Sequence, residues 1–289
     1  MKETAKAFAK INISLDIISK MPDGYHEMLM IMQTVSLCDE ISVECVPGEG
    51  FEIKTNLEYI PGDERNIAAK SAGAFFEYTG IRGYRTKINI KKNIPVSAGL
   101  GGGSADGACV LRMLNKMFST NLDIKQLEGI GVRVGADIPF CVSGGTRLAR
   151  GRGEVLLDIA PLPDCYIVIC KPPFSFSTPE LFRRIKCEKI RLRPDTEAII
   201  EELEQGSLAG AARRMYNVFE DFLPRGADEI EKVKYSMSDA GAKGAVMTGS
   251  GSAVFGIFDD ITNAESAYDK LKTQYKDCYL TRPQRKIDY

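Results

Sequence analysis

Residues 93–108 read NIPVSAGLGGGSADGA, with four glycines between Gly99 and Gly103 directly ahead of a stretch of helical period. A chain gives up side chains at that density for one of two reasons. Either the loop is a loose turn that needs positive φ, or bare backbone N–H groups close round an anion at a helix N-terminus. The flanking residues bear on the choice. Tyr84, Thr86, Ile88 and Ile90 alternate through a strand at about Tyr84 to Lys92, and Val110, Leu111, Leu114 and Phe118 form an apolar stripe on a helix expected from about Ser104 to Met117. Strand, glycine loop, helix is the order an anion site needs. No Lys-Ser/Thr follows at Walker spacing and no G-x-G-x-x-G opens a dinucleotide fold, so the cradle lacks a lysine of its own. Ser104, at the junction, can cap the helix, face a phosphate or its magnesium, or do both.

The rest of the chain reads as strands and helices with no internal repeat. Ile11, Ile13, Leu15 and Ile17 alternate with Asn12, Ser14 and Asp16, the period of a strand with one wet face, and Lys10 shares that polar face. Strands are expected at Ile41 to Val46 and Phe51 to Lys54, either side of Pro47-Gly48. Helices are expected at Asn66 to Tyr78, Asp123 to Val134, within Asp195 to Met215, and at Asp228 to Ala240. The segment PLP at 161–163 marks a boundary, dividing the chain into halves 1–160 and 161–289. Beyond it, CYIVICKPP reads as a strand stopped by prolines, and AVMTGSGSAVFGIF as two strands joined by a second glycine turn.

Four further motifs carry chemistry-bearing residues. In GADIPF, Asp137 is either a helix cap or turn former, or a carboxylate aimed into a cleft, where it can take or orient the proton of a hydroxyl during phosphoryl transfer. Lys10 is either a solvated surface residue or, if it lies beside Asp137, the charge that keeps the carboxylate ionised and offsets a migrating phosphoryl group. PDGYH holds the one histidine, His26, beside Tyr25. The pair is either an exposed turn or a recognition element, with a ring to stack and an imidazole to hydrogen-bond; a lone histidine gives little basis for a metal site. TGSGS at Thr248 to Ser252 is by itself a glycine turn, and alongside the first loop it makes a second wall for a polyphosphate.

Composition restricts the partners. With 38 basic and 39 acidic residues and a net charge of -1, no global field favours nucleic acid or an anionic membrane. No window approaches a membrane span, and MKETAKAFAK lacks a signal-peptide core, so a soluble, cytoplasmic protein is expected. The eight cysteines are scattered without C-x-x-C or metal spacing and are expected to be reduced core residues.

AKINISLDI, DGYHEM, GLGGGSADGA, GADIPF and MTGSGSAVF, in this order over nearly the whole chain, closely resemble the GHMP kinase superfamily. The resemblance implies an α+β, two-domain fold: an N-terminal domain with the phosphate loop, a C-terminal α/β domain, and the active site between them. ATP phosphates are expected on Gly99, Gly101, Gly102, Gly103 and Ser104, with magnesium, and Asn66 and Lys92 match contacts to adenosine. Lys10 and Asp137 match the catalytic pair. A-K-I-N and D-G-Y-H narrow the resemblance to members that phosphorylate the 2-hydroxyl of 4-diphosphocytidyl-2-C-methyl-D-erythritol, in the non-mevalonate isoprenoid route. In that branch Asn12 matches a substrate contact, Tyr25 stacks on cytosine, His26 hydrogen-bonds it, and Phe182, ahead of Phe174 and Phe176, supplies the second ring. Thr248, Gly249 and Ser250 belong to the substrate side. Ala105, Gly107 and Met21 depart from the pattern, and Gly107 is expected to weaken its helix by up to about 1 kcal/mol.

Two other readings remain at this point. One is a superfamily kinase for another small alcohol, mevalonate- or homoserine-like, told apart by whether Tyr25 and Phe182 face each other across a base-sized gap. The other is a nucleotide-binding regulator without catalysis, against which Lys10 and Asp137 argue.

Overall fold

The computed structural model describes residues 1–190 and 192–287. The chain opens with β1 (Lys2–Lys20) and β2 (His26–Pro47), a long antiparallel pair turned by Met21 to Tyr25, then β3 (Phe51–Thr55), α1 (Ile67–Thr79) and β4 (Tyr84–Lys91). The glycine loop leads into α2 (Gly102–Met117), followed by α3 (Ile124–Val132), α4 (Ile138–Ser143), β5 (Thr146–Gly151) and β6 (Val155–Asp158). The second half runs β7 (Tyr166–Lys171), α5 (Thr178–Arg184), α6 (Thr196–Glu204), α7 (Leu208–Arg213), β8 (Tyr216–Asn217), α8 (Asp228–Asp239), β9 (Gly244–Met247), β10 (Val254–Phe258), α9 (Ile261–Lys272) and β11 (Asp277–Thr281).

Among the described residues these strands form a seven-stranded sheet, ordered β3-β4-β2-β1-β8 with β5 and β6 branching from β2, and a four-stranded sheet ordered β11-β7-β10-β9. The short strands expected at 41–46 and 51–54 are the tail of β2 and β3, but they do not pair with each other. β4 lies between them, antiparallel to β2 and parallel to β3.

The expected wet face of β1 is a correction. Lys10, Asn12, Ser14 and Asp16 are all buried, as are Ile11, Ile13, Leu15 and Ile17, because β1 is a central strand with the glycine loop and the second half of the chain packed on its polar side. β8 pairs in parallel at Ser14 and Leu15, Asn12 meets Thr248, and Arg193 pairs with Asp16 at 2.7 Å. Register shifts at Phe8/Lys10 and Asn12/Ser14 bracket the A-K-I-N motif, and such bulges re-aim side chains beside active sites.

α2 is the core helix of the first half, burying Ala105, Ala108, Cys109, Val110, Leu111, Met113 and Leu114. Gly107, expected only to weaken it, is what lets α1 approach. A Cβ there would stand 2.5 Å from Ser71 Oγ and 3.1 Å from Ile67 Cγ2. Six of the eight cysteines are buried; Cys38 and Cys187 are half-buried. No helix among the described residues is long and apolar enough to cross a membrane.

Candidate active site

The glycine loop is built against β1 and against the late TGSGS turn. Lys10 N–H donates to Leu100 C=O at 3.0 Å, and Ala253 N–H to Ala98 C=O at 3.2 Å. Gly99 has φ +76°, and a Cβ on it would stand 2.0 Å from the Thr248 carbonyl oxygen; on Gly101, φ +67°, it would meet Lys10 Cγ at 2.9 Å. The absent side chains are therefore the space in which the two loops and Lys10 come together. α2 begins two residues earlier than expected, at Gly102, with Gly101 as its left-handed N-cap and no side-chain cap. Ser104 thus lies in the first turn and does not cap the helix. The first-turn N–H groups take no side-chain partner at that cap, which leaves a helix N-terminus ready for an anion.

Asp137 stands at the N-cap of α4, yet its side chain makes no capping bond. The carboxylate is 35% exposed and its Oδ2 is 3.9 Å from Lys10 Nζ, whose side chain is 6% exposed. Lys10 Nζ also donates to Asn12 Oδ1 at 2.7 Å, and Asn12 Nδ2 reaches Met30 Sδ at 3.4 Å. A buried ammonium is thus tied to the strand on one side and faces a half-open carboxylate on the other, an arrangement that holds positive charge where a phosphoryl group could pass.

Two cavities meet at the glycine loop. One, of about 550 Å³, is lined by Lys10, Asn12, Asp137, Arg152, Phe182 and Ser250, among others. The other, of about 510 Å³, is lined by Tyr59, Asn66, Ile67, Pro95, Gly102 and Gly103, among others. Ser97, Gly99, Gly101, Ser104 and Thr178 border both. A chain of phosphates lying on the loop can therefore reach from the second cavity into the first, beside Lys10 and Asp137.

The sequence-derived residues do not all face these cavities. Thr248 is fully buried; its Oγ1 accepts the Asn12 N–H at 3.0 Å and lies 3.3 Å from Gly99 O, so it holds the loops together, while Gly249 and Ser250 line the first cavity. Asn66 borders the second cavity but commits its side chain to capping α1, accepting from Ala68 N–H at 2.9 Å, and to Pro61 C=O. Lys92 borders the second cavity too, but its ammonium is bound in a buried set with Asp39 and Asp106. Burial pushes the Asp106 carboxyl up to about 8, the nearby Lys92 ammonium opposing it.

Tyr25 and Phe182, the two rings named for the base, each pack on another side chain. Phe182 stacks on His26, with centroids 5.0 Å apart and planes at 25°, and sets an edge contact on Phe219. Tyr25, 57% exposed, lies under the Arg152 guanidinium at 3.8 Å, which also pairs with Asp23 at 2.5 Å. Each ring has thus found a protein neighbour to cover it. Burial and the Lys20 charge hold His26 below its ordinary pKa, so it is neutral at pH 7.

Sequence reasoning missed Arg152 and Thr178. Arg152 sits in GRGE, a segment without a recognisable period, and Thr178, bonded to Ser250 at 2.7 Å, opens a short helix hidden among prolines. Ser97, at φ +52°, was also missed; the V-S-A-G run held no signal for it.

The GHMP kinases N terminal domain matches residues 66–145, and the GHMP kinases C terminal domain residues 199–277. The chain is 44% identical over 277 residues to a 4-diphosphocytidyl-2-C-methyl-D-erythritol kinase of Clostridium botulinum (strain Eklund 17B / Type B), covering 96% of this chain and 98% of the relative. It is 42% identical, over the same shares, to the protein of that name from Clostridium kluyveri. Among solved structures, a 4-(cytidine 5'-diphospho)-2C-methyl-D-erythritol kinase superposes with a TM-score of 0.81 at 31% identity, over 98% of this chain and 99% of that one. A homoserine kinase from Cytophaga hutchinsonii superposes at 0.76 and 19% identity, over 100% and 96% of the two chains, which bears on the fold alone.

Proposed function

The chain belongs to the GHMP kinases, and on that premise we propose that it transfers the γ-phosphoryl group of ATP to the 2-hydroxyl of 4-diphosphocytidyl-2-C-methyl-D-erythritol, a step toward isoprenoid precursors. The observation that carries the substrate is the likeness at 44% identity over nearly the whole of both chains to a kinase of that name. The site geometry supports the reaction type: a glycine loop that joins two cavities, with an uncapped carboxylate and a buried ammonium at the join.

ATP lies with adenosine in the second cavity and phosphates along Gly99 to Ser104, where loop amides and the start of α2 meet the charge. The alcohol enters the first cavity. Asp137 orients its hydroxyl and accepts its proton, and Lys10 stabilises the charge on the phosphoryl group as it passes. Gly249 and Ser250 close the opposite wall. Little covalent work falls to the protein; holding the reactants in line supplies most of the rate.

Magnesium fits this donor set. No cluster of three His, Cys, Asp or Glu side chains is present among the described residues, and the ion needs only one or two protein oxygens besides phosphate. Ser104, which borders both cavities, would hold it. Bound there, it would neutralise phosphate charge.

Cytosine stacks on Tyr25 and Phe182 by replacing Arg152 on the first and His26 on the second, and neutral His26 then offers the ring both a donor and an acceptor. Because these faces are covered, the aromatic geometry does not separate this substrate from a smaller alcohol; the chain-long identity does. The reading includes a cytoplasmic location.

Its test is ADP release and product mass with ATP, magnesium and the cytidine compound, with mevalonate and homoserine in parallel. Phosphorylation of the cytidine compound alone is expected. Activity confined to another alcohol overturns the substrate, and nucleotide binding without ADP production overturns the reaction.

A further inference from the structure

We propose that Lys92, Asp39 and Asp106 form a buried positioning set for the glycine loop, so that Lys92 serves the nucleotide's phosphates by fixing where the loop amides point. The inference rests on reading Gly99 to Ser104 as the phosphate cradle.

Lys92 is the residue at which β4 gives way to the loop, and its side chain is 4% exposed. Its Nζ donates to Asp106 Oδ2 at 2.7 Å and to Asp39 Oδ2. Asp39, on β2 and wholly buried, uses its other oxygen to accept the N–H groups of Asn93 at 2.5 Å and Ile94 at 2.8 Å, the next two residues of the chain. Asp106 lies early in α2. One ammonium therefore joins the sheet, the entry to the loop and the start of the helix. These are the three bodies whose relative placement fixes where the loop amides point.

The helix start also packs on this node. A Cβ on Gly102 would stand 3.3 Å from Lys92 Nζ and 3.1 Å from Ile94 Cγ2. A buried ionic set is weak evidence for stability, but its bonds are directional and select one arrangement over its neighbours. Apolar packing at the same place would let the loop slide. Lys92 and Asp106 also border the second cavity, but two of the three ammonium N–H groups are taken up by carboxyl oxygens of the protein, so the side chain is held to the sheet and the helix first.

The test compares ATP with inorganic tripolyphosphate, which lacks adenosine, by calorimetry or by displacement of ADP from the full chain. Lys92→Met is expected to weaken both ligands equally, by about tenfold or more, because the amides both ligands use are displaced. A loss for ATP with tripolyphosphate unchanged would mean that Lys92 touches adenosine, and would overturn the proposal.

Direct contact with phosphate is separated by Asp106→Leu. Positioning predicts a loss like that of Lys92→Met, whereas direct contact predicts unchanged or tighter tripolyphosphate binding, since a partner of the ammonium has been removed. Lys92→Arg, which keeps the charge and the donors, is expected within about threefold of the parent. If Lys92→Met does not fold, Lys92→Gln retains a donor to one carboxylate and carries the same comparison. Failure of the parent chain to bind ATP overturns the cradle reading itself, whereas normal parent binding with unaffected variants overturns only the positioning role.

Discussion

At the scale of single residues, Lys10 and Asp137 lie far apart in sequence and 3.9 Å apart in space. What the sequence offered was the types: a lysine two residues from an asparagine on an alternating strand, and an aspartate before Ile-Pro. It could not exclude the cap, because Asp at an N-cap is the commoner use of that residue. The absence of a capping bond from Asp137 is a tertiary fact, visible only once α4 is set against β1. His26 allows a sharper test. Held below its ordinary pKa by burial and by Lys20, it stays neutral down to mildly acid pH. Affinity for the cytidine substrate should therefore be level from pH 8 to 7 and fall only in acid, as His26 takes a proton. His26→Ala should weaken that ligand with little change toward ATP, checked by calorimetry with each; equal losses for both would point to a folding defect.

At the scale of elements, the glycine loop was the most legible part of the chain, since strand, glycine run and apolar helix follow one another locally. The TGSGS turn was expected beside it as a second wall for phosphates, but the direct packing of Gly99 on Thr248 was not legible, because nothing in either turn names its partner atom. Gly99 makes that contact testable. With φ +76° and a Cβ that would stand 2.0 Å from the Thr248 carbonyl, Gly99→Ala should destabilise the fold by roughly 1–3 kcal/mol in urea titration and weaken ATP binding. Asn217 serves the same turn from β8, donating at 2.8 Å to both Met247 C=O and Gly249 C=O while wholly buried. Asn217→Ala leaves buried carbonyls without that donor and should cost about 1–3 kcal/mol, read from the same titration. A two-residue strand such as β8 carries no periodicity, and the sequence offered no reading of it, just past the helical stretch that ends at Met215.

At the scale of the whole molecule, the two sheets were foreseeable in outline, and the traffic between them was not. β8 returns from the second half to pair with β1, and Val35 bridges Pro283 near the C-terminal end. Pairings of such separation leave no mark in a local pattern; they also bury the face of β1 that alternation alone makes look wet. Global stability carries an electrostatic signature at this set. Burial holds the Asp106 carboxyl above the roughly 3.9 of an unfolded chain, so above that pH the folded state binds more protons than the unfolded state. Stability should therefore fall as pH rises from about 4 until the folded chain gives up the Asp106 proton. Asp106→Asn should flatten that decline, in denaturant midpoints taken from pH 5 to 8, and an unchanged slope would deny the shift.

The central claim is that this cleft performs transfer through Asp137. Turnover of Asp137→Asn with ATP and the cytidine substrate, measured beside its ADP affinity, tests it most directly. The account predicts a loss of roughly 100-fold or more in kcat, the scale of a positioned acid-base group, with ADP binding retained. A variant that turns over like the parent chain would contradict it.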